Sequence, residues 1–142
     1  MAYLSLVEDE DAEDMYVTNV SEKGEFEALA REGASRVKVR YLLEKSAGAS
    51  YFYLRYYVVE EGGHTPLDRH GYEHEVFELE GRGVMVSEDR EIQIKPGDAI
   101  YLGPNDVHQF RNLNREPLVF LCVTGDERMY RGNDPARAVS ED

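Results

Sequence analysis

Apolar and polar residues alternate along the middle of this chain, and they do so in short runs separated by turn residues. The stretch RVKVRYLL, beginning at Arg36, alternates, and Ser46 to Ala49 reads as a turn. Tyr51 to Val59, YFYLRYYVV, is dense in aromatic and β-branched residues and predicts a strand that Glu60 to Gly63 ends. Glu75 to Leu79 predicts another strand. Val84 to Ser87 and Glu91 to Lys95 flank a turn at Glu88-Asp89-Arg90, and AIYL follows the break at Pro96-Gly97-Asp98. From Val107 to Asn112 the alternation puts His108, Phe110 and Asn112 on one face. Leu118 to Val123 is continuously apolar, as in a strand covered on both faces. Ahead of all this, Glu25 to Arg31 predicts a short helix stopped near Gly33.

Many short strands with regular turns predict an all-β fold, a jelly-roll β-barrel preceded by a short helical or irregular segment. The pattern divides the chain into an acidic N-terminal extension over 1–35, a barrel over 36–125 and a polar tail over 126–142. No repeat and no second domain is visible, and 142 residues suit one domain with one core.

Composition adds exclusions. The net charge is −13, which opposes contact with nucleic-acid backbones and anionic lipid, so neither partner is expected. The N-terminus lacks the basic start and apolar centre of a signal peptide, and no apolar run approaches a membrane span. Cys122 is the single cysteine, so no internal disulfide forms, and a cytoplasmic protein is expected.

The chemistry gathers around Gly62 to Gly83. His70 and His74 stand four residues apart there, and His108 comes from a later strand. Imidazole is the commonest metal ligand at physiological pH. Three imidazoles with a nearby carboxylate suit iron, manganese, zinc, nickel or cobalt better than calcium or magnesium. Asp68 shares strand parity with His70 and is a fourth candidate, either as a ligand or as a hydrogen-bond partner of a ligand histidine. His64 lies roughly 13 Å further back along an extended strand and is read as a strand-start residue, not a ligand. Phe110 should line the cavity beside His108, and Tyr72 stands in the link between the two histidines, at the pocket mouth or exposed. Glu78 has the parity of His74. It is a candidate buried base, or its parity is explained by a bulge or by a partner such as Arg55. Cys122 is a small core residue or a thiol facing the metal.

These residues resemble the two motifs of the cupins, small β-barrel proteins with a metal inside the barrel. The first motif is G-x5-H-x-H-x3-E-x6-G. Here Gly62 is followed by five residues, then Asp68, Arg69, His70, three residues, His74, six residues and Gly81. The second is G-x5-P-x-G-x2-H-x3-N, matched by Gly97, His108 and Asn112, with Pro104 one place late and the second glycine absent. Asp68 replaces the first motif histidine and His74 the glutamate. The wording resembles single-domain microbial cupins with a four-histidine site, in which Asp68 would take one of the four places. The resemblance runs from Arg36 to Val123. It implies one divalent transition metal held by Asp68, His70, His74 and His108, with a small-molecule substrate at the metal. Arg55, Tyr72, Phe110 and Cys122 are expected at the substrate pocket. The implied activity is that of a metal-dependent enzyme of the dioxygenase or oxidative-cleavage type. The alternatives are a non-redox isomerase or cyclase, or a non-catalytic binding protein. The fold usually pairs through its N-terminal strands and outer sheet faces, and the aromatic run from Tyr51 to Tyr57 carries more large side chains than one barrel face needs, so a homodimer is expected.

Overall fold

Alternating strands bury one face each, and in the computed structural model they do so against one another. The structure describes residues 15–22 and 26–133. Nine strands form one strongly curled antiparallel sheet: β1 (Glu27–Ala28), β2 (Ser35–Leu43), β3 (Phe52–His64), β4 (His74–Glu80), β5 (Gly83–Ser87), β6 (Arg90–Ile94), β7 (Ala99–Leu102), β8 (Gln109–Arg111) and β9 (Leu118–Gly125). The order is β6-β5-β8-β3-β9-β4-β7, with β2 also on β3 and β1 on β2. This is the all-β jelly roll that the sequence pattern predicts. Val37, Val59, Val76, Met85, Phe110, Leu118 and Phe120 meet inside it as the core.

β3 makes the closure possible. Its first part pairs with β9 from Phe52 to Val59, and its last residue, His64, pairs with Arg111 of β8. The strand thus runs through Glu60 to Gly63, where the sequence pattern ends it. His64 is therefore a strand-end residue, not a strand-start one. Gly62 takes a φ of +77°, a left-handed conformation that glycine adopts without strain. A Cβ at Gly63 would lie 2.6 Å from the Ser35 carbonyl oxygen of β2. The buried Asn112 secures the same crossing, its Nδ2 donating to the Val59 carbonyl at 2.9 Å and to the Glu116 carbonyl at 2.8 Å.

Residues 26–31 form no helix. Glu27 and Ala28 pair with Val39 and Lys38, and the Phe26 ring sits 5.9 Å from the Tyr56 ring, with the Arg40 guanidinium 4.1 Å above it. So short a helix is marginal in water, and the sheet edge offers these residues both hydrogen bonds and an aromatic contact. Glu25 and the acidic block Glu8 to Asp14 lie outside the described residues.

The segment after β9 is more than a tail. Asp126 is buried and accepts hydrogen bonds from the Tyr53 hydroxyl and from Arg128 Nε, the latter at 2.7 Å. The Tyr130 hydroxyl donates to Glu73 Oε1 at 3.0 Å. These bonds hold the short 3-10 segment Glu127–Asn133 against the barrel. Residues 134–142 lie outside the described ones. Among the described residues, no helix is long and apolar enough to cross a membrane.

Candidate metal centre

The inward side chains of β3, β9 and β4 form rows across the sheet. His74 shares a row with Thr124 and Tyr53; Arg55, Cys122 and Val76 form the next; Tyr57, Phe120 and Glu78 form the third. A backbone bridge brings the other two histidines to the first row. Asp68 N–H donates to the His108 carbonyl at 2.8 Å, and His108 N–H donates back at 2.9 Å. Asn105 N–H then holds the His70 carbonyl at 2.5 Å.

His70, His74 and His108 consequently converge. One ring nitrogen from each lies within 4.8 Å of the other two. Ring centroids stand 4.6 Å apart for His70 and His74, and 5.4 Å for His74 and His108. The Tyr72 ring stacks on His70 at 4.7 Å and an interplanar angle of 11°.

The protonation pattern suits metal binding. Burial pushes the pKa of His70 down to about 4 and that of His74 down to about 3, with the neighbouring histidines adding to the effect. Both are neutral at pH 7. His108 Nδ1 lies 3.0 Å from the Asp106 carbonyl oxygen, which only accepts, so Nδ1 donates there and Nε2 is the nitrogen left for a metal. His74 Nδ1 lies 3.3 Å from Cys122 Sγ, while its Nε2 is buried with no hydrogen-bond partner. A buried ring nitrogen with no partner is costly unless something binds it. The residues present therefore fit a metal ion held by three imidazole nitrogens.

Asp68 stands outside this cluster of three. Its Oδ2 is 3.6 Å from His70 Nε2 and accepts from Arg31 Nη1 at 2.5 Å. Burial works against its charge, but the Arg31 hydrogen bond and the neighbouring His70 outweigh it and hold the carboxyl below the usual carboxylate range. Both alternatives for Asp68, a ligand or a partner of a ligand histidine, keep it beside His70 as found here.

Arg55, Tyr72, Phe110 and Cys122 all line the cavity, with Val76, Leu102 and Phe120. Phe110 and Cys122 also belong to the core, and both readings of them are compatible. His64 is apart from the cavity, near Gln109. Glu78 requires two corrections. It is fully buried on the inner face but does not line the metal cavity, although Tyr57 and Phe120 of its own row do. Of the two explanations for its parity, the partner fails, since Arg55 pairs with Glu44 at 3.2 Å and both Glu78 oxygens lack a hydrogen-bond partner, while the β4–β9 register does shift between Glu78 and Glu80, as a bulge requires. Arg31 and Tyr57 are cavity residues that the motifs do not reveal. Arg31 reaches the site from the loop before β2, and no local pattern marks it.

Known proteins fit this arrangement. The cupin-domain family model matches residues 55–124, the span that carries all three histidines. The polyketide cyclase RemF from Streptomyces resistomycificus is 29% identical, with a TM-score of 0.74, over 78% of this chain and 79% of that one. A cupin 2 domain-containing protein from Halorhodospira halophila is 34% identical with a TM-score of 0.58, over 70% of this chain and 78% of that one. The 1-methylthio-D-xylulose 5-phosphate methylsulfurylase of Rhodospirillum rubrum is 39% identical over 75 residues, 53% of this chain and 48% of that protein. The chain spans about half the length of the curated relatives it matches. With its strand order, its histidine cluster and these matches in agreement, the chain belongs to the cupin superfamily.

Proposed function

We propose that the chain is a metal-dependent enzyme acting on a small organic molecule in the barrel cavity, and that its reaction is a non-redox rearrangement of the isomerase or cyclase kind. The observation that carries this reading is the buried, unpartnered Nε2 of His74 among three converging imidazoles. His70, His74 and His108 would hold one divalent ion of iron, manganese, zinc, nickel or cobalt. Such an ion, when bound, supplies Lewis-acid polarisation of a substrate oxygen.

The chain's own residues complete the site. Val76, Leu102, Phe110 and Phe120 exclude water from one side of the cavity. Burial raises the Tyr72 hydroxyl above its ordinary pKa and pushes that of Tyr57 up to about 12, so both stay protonated at neutral pH and donate hydrogen bonds to substrate oxygens. The likeness to a polyketide cyclase supports the non-redox choice. The dioxygenase or oxidative-cleavage alternative draws on the same donor set, which also suits iron.

The test uses untagged protein loaded with zinc, manganese, iron or cobalt and a panel of small enolisable ketones and keto acids. Proton NMR in deuterated water follows exchange beside the carbonyl, and an electrode follows oxygen. The expected result is metal-dependent exchange without oxygen uptake, abolished by His74→Ala. Oxygen uptake that tracks substrate loss selects the oxygenase. Tight binding with neither exchange nor turnover overturns the enzyme reading in favour of a binding protein.

A further inference from the structure

The charges at the cavity run against those of the whole chain. The molecule carries a net −13, yet the charged residues lining the cavity are two arginines, Arg31 and Arg55, and one carboxylate, Asp68. Two guanidiniums against one carboxylate leave the lining positive before any metal arrives.

The two arginines are not equivalent. Arg31 is committed to Asp68 at 2.5 Å. Arg55 is held at Nε by Glu44 Oε2 at 3.2 Å and by a side-chain hydrogen bond with the Tyr57 hydroxyl, and Glu44 is the only carboxylate paired with it among the described residues. Glu44 lies outside the metal cavity, in the adjoining pocket with Lys45 and Asp126. The Tyr41 ring supports the guanidinium at 5.2 Å. Burial opposes the charge, but the bond to Glu44 and the neighbouring Tyr57 hold the Arg55 pKa above its ordinary value. The backbone fixes the direction: Arg55 pairs with Cys122, whose Sγ touches His74.

We propose that Arg55 anchors a carboxylate on the substrate, so that the cavity takes a small keto or enol acid with its carboxylate on the guanidinium and its second oxygen toward the histidines. The inference rests on the metal-dependent reading above and gives it a substrate class. With Nε bonded to Glu44 and one further bond to the Tyr57 hydroxyl, the guanidinium at the cavity wall keeps terminal N–H groups that match a planar carboxylate in a bidentate pair. Glu44 acts here as a positioning residue, orienting Arg55 without touching the ligand. The apolar wall of Val76, Phe110 and Phe120 strengthens such a pair by excluding water.

The test titrates cobalt-loaded protein with acetoacetate and with its neutral methyl ester, reading the cobalt visible bands. Acetoacetate should bind roughly tenfold to a hundredfold more tightly than the ester. Arg55→Met should remove that preference while leaving cobalt binding and ester affinity unchanged. Equal affinity for acid and ester in the parent protein overturns the proposal, as does an Arg55→Met variant that keeps the preference. If Arg55→Met does not fold, Arg55→Lys decides. It keeps the charge and loses the fork, so a reduced preference supports the anchor and an undiminished one overturns it. Absence of cobalt bands fails the metal reading instead. Calorimetry on that same metal-free protein then reads the anchor: an acid preference lost in Arg55→Met supports it, and no preference overturns it.

Discussion

Asp68 shows how much one carboxylate's partners decide. Its Oδ2 accepts from Arg31 at 2.5 Å and lies 3.6 Å from His70 Nε2, so it draws the loop before β2 onto the site and sets a negative charge beside a histidine. Asp68→Asn should weaken zinc binding roughly tenfold to a hundredfold and keep the stoichiometry near one. Competition against a chelating dye measures this, and a loss as complete as that of His74→Ala would make Asp68 a fourth ligand. Glu78 supplies a second prediction. Burial, with Asp98 nearby, pushes its pKa from 4.5 up to about 7. Between those values the folded chain holds a proton that the unfolded chain has released, so stability falls as pH rises from 4.5 to 7 and levels off above. Glu78→Gln should abolish that slope and stabilise the protein at pH 8 by about 1–3 kcal/mol, read from urea midpoints at several pH values. At this scale the histidines were legible, because their spacing is a property of the chain itself. Parity also placed Glu78 on the inner face. It could not say how far down the barrel Glu78 would lie, and nothing local to Arg31 announces its bond to Asp68.

β3 is the element on which closure depends, and it was the one misread in length. Gly62 and Gly63 look like a strand end, since glycine weakens regular strands. In the barrel the same two residues carry the strand from β9 across to β8, with Gly62 N–H donating to the Asn112 carbonyl at 2.9 Å and Asn112 N–H donating to the Gly63 carbonyl at 3.0 Å. The missing signal was the neighbour: β2 comes so close that a Cβ at Gly63 would sit 2.6 Å from backbone oxygen. Gly63→Ala is therefore expected to destabilise the fold by about 2–4 kcal/mol, because backbone and not a pliable side chain must move. Chemical denaturation with an unchanged slope would register this as a lower midpoint, and a midpoint within error of the parent would show that β2 yields easily. The predicted helix near Glu25 failed for a related reason: Glu27 and Ala28 satisfy their backbone on β2, a partner distant in sequence.

For the whole molecule, strand count, turn spacing and the two motifs were enough to identify the barrel, because alternation is a local record of which face is buried. Alternation also writes the other face. On the outside of the sheet, Leu54, Val123, Glu75 and Tyr101 form one row, and Tyr56, Leu121, Phe77 and Ala99 form the next. Glu75 stands in the first row and Arg40 of β2 extends the second beyond Tyr56, so the two rows carry one charge of each sign. Phe26 covers part of this surface at Tyr56, but Phe77 and Tyr101 remain 46% and 59% exposed. An apolar sheet face of this kind is costly to leave in water and marks an interaction surface. A second copy of the chain, related by a two-fold axis, would bury the same rows against themselves and satisfy the symmetry that most oligomers adopt. With the chain at −13 and this face carrying one charge of each sign in its two rows, two copies would meet here with less repulsion than the net charge implies. Light scattering at micromolar concentration should give the mass of a homodimer. Phe77→Lys should shift it toward the monomer without changing metal content, since Phe77 points away from the histidines. A monomeric mass for the parent protein, or an undiminished dimer in Phe77→Lys, would move the interface off this face.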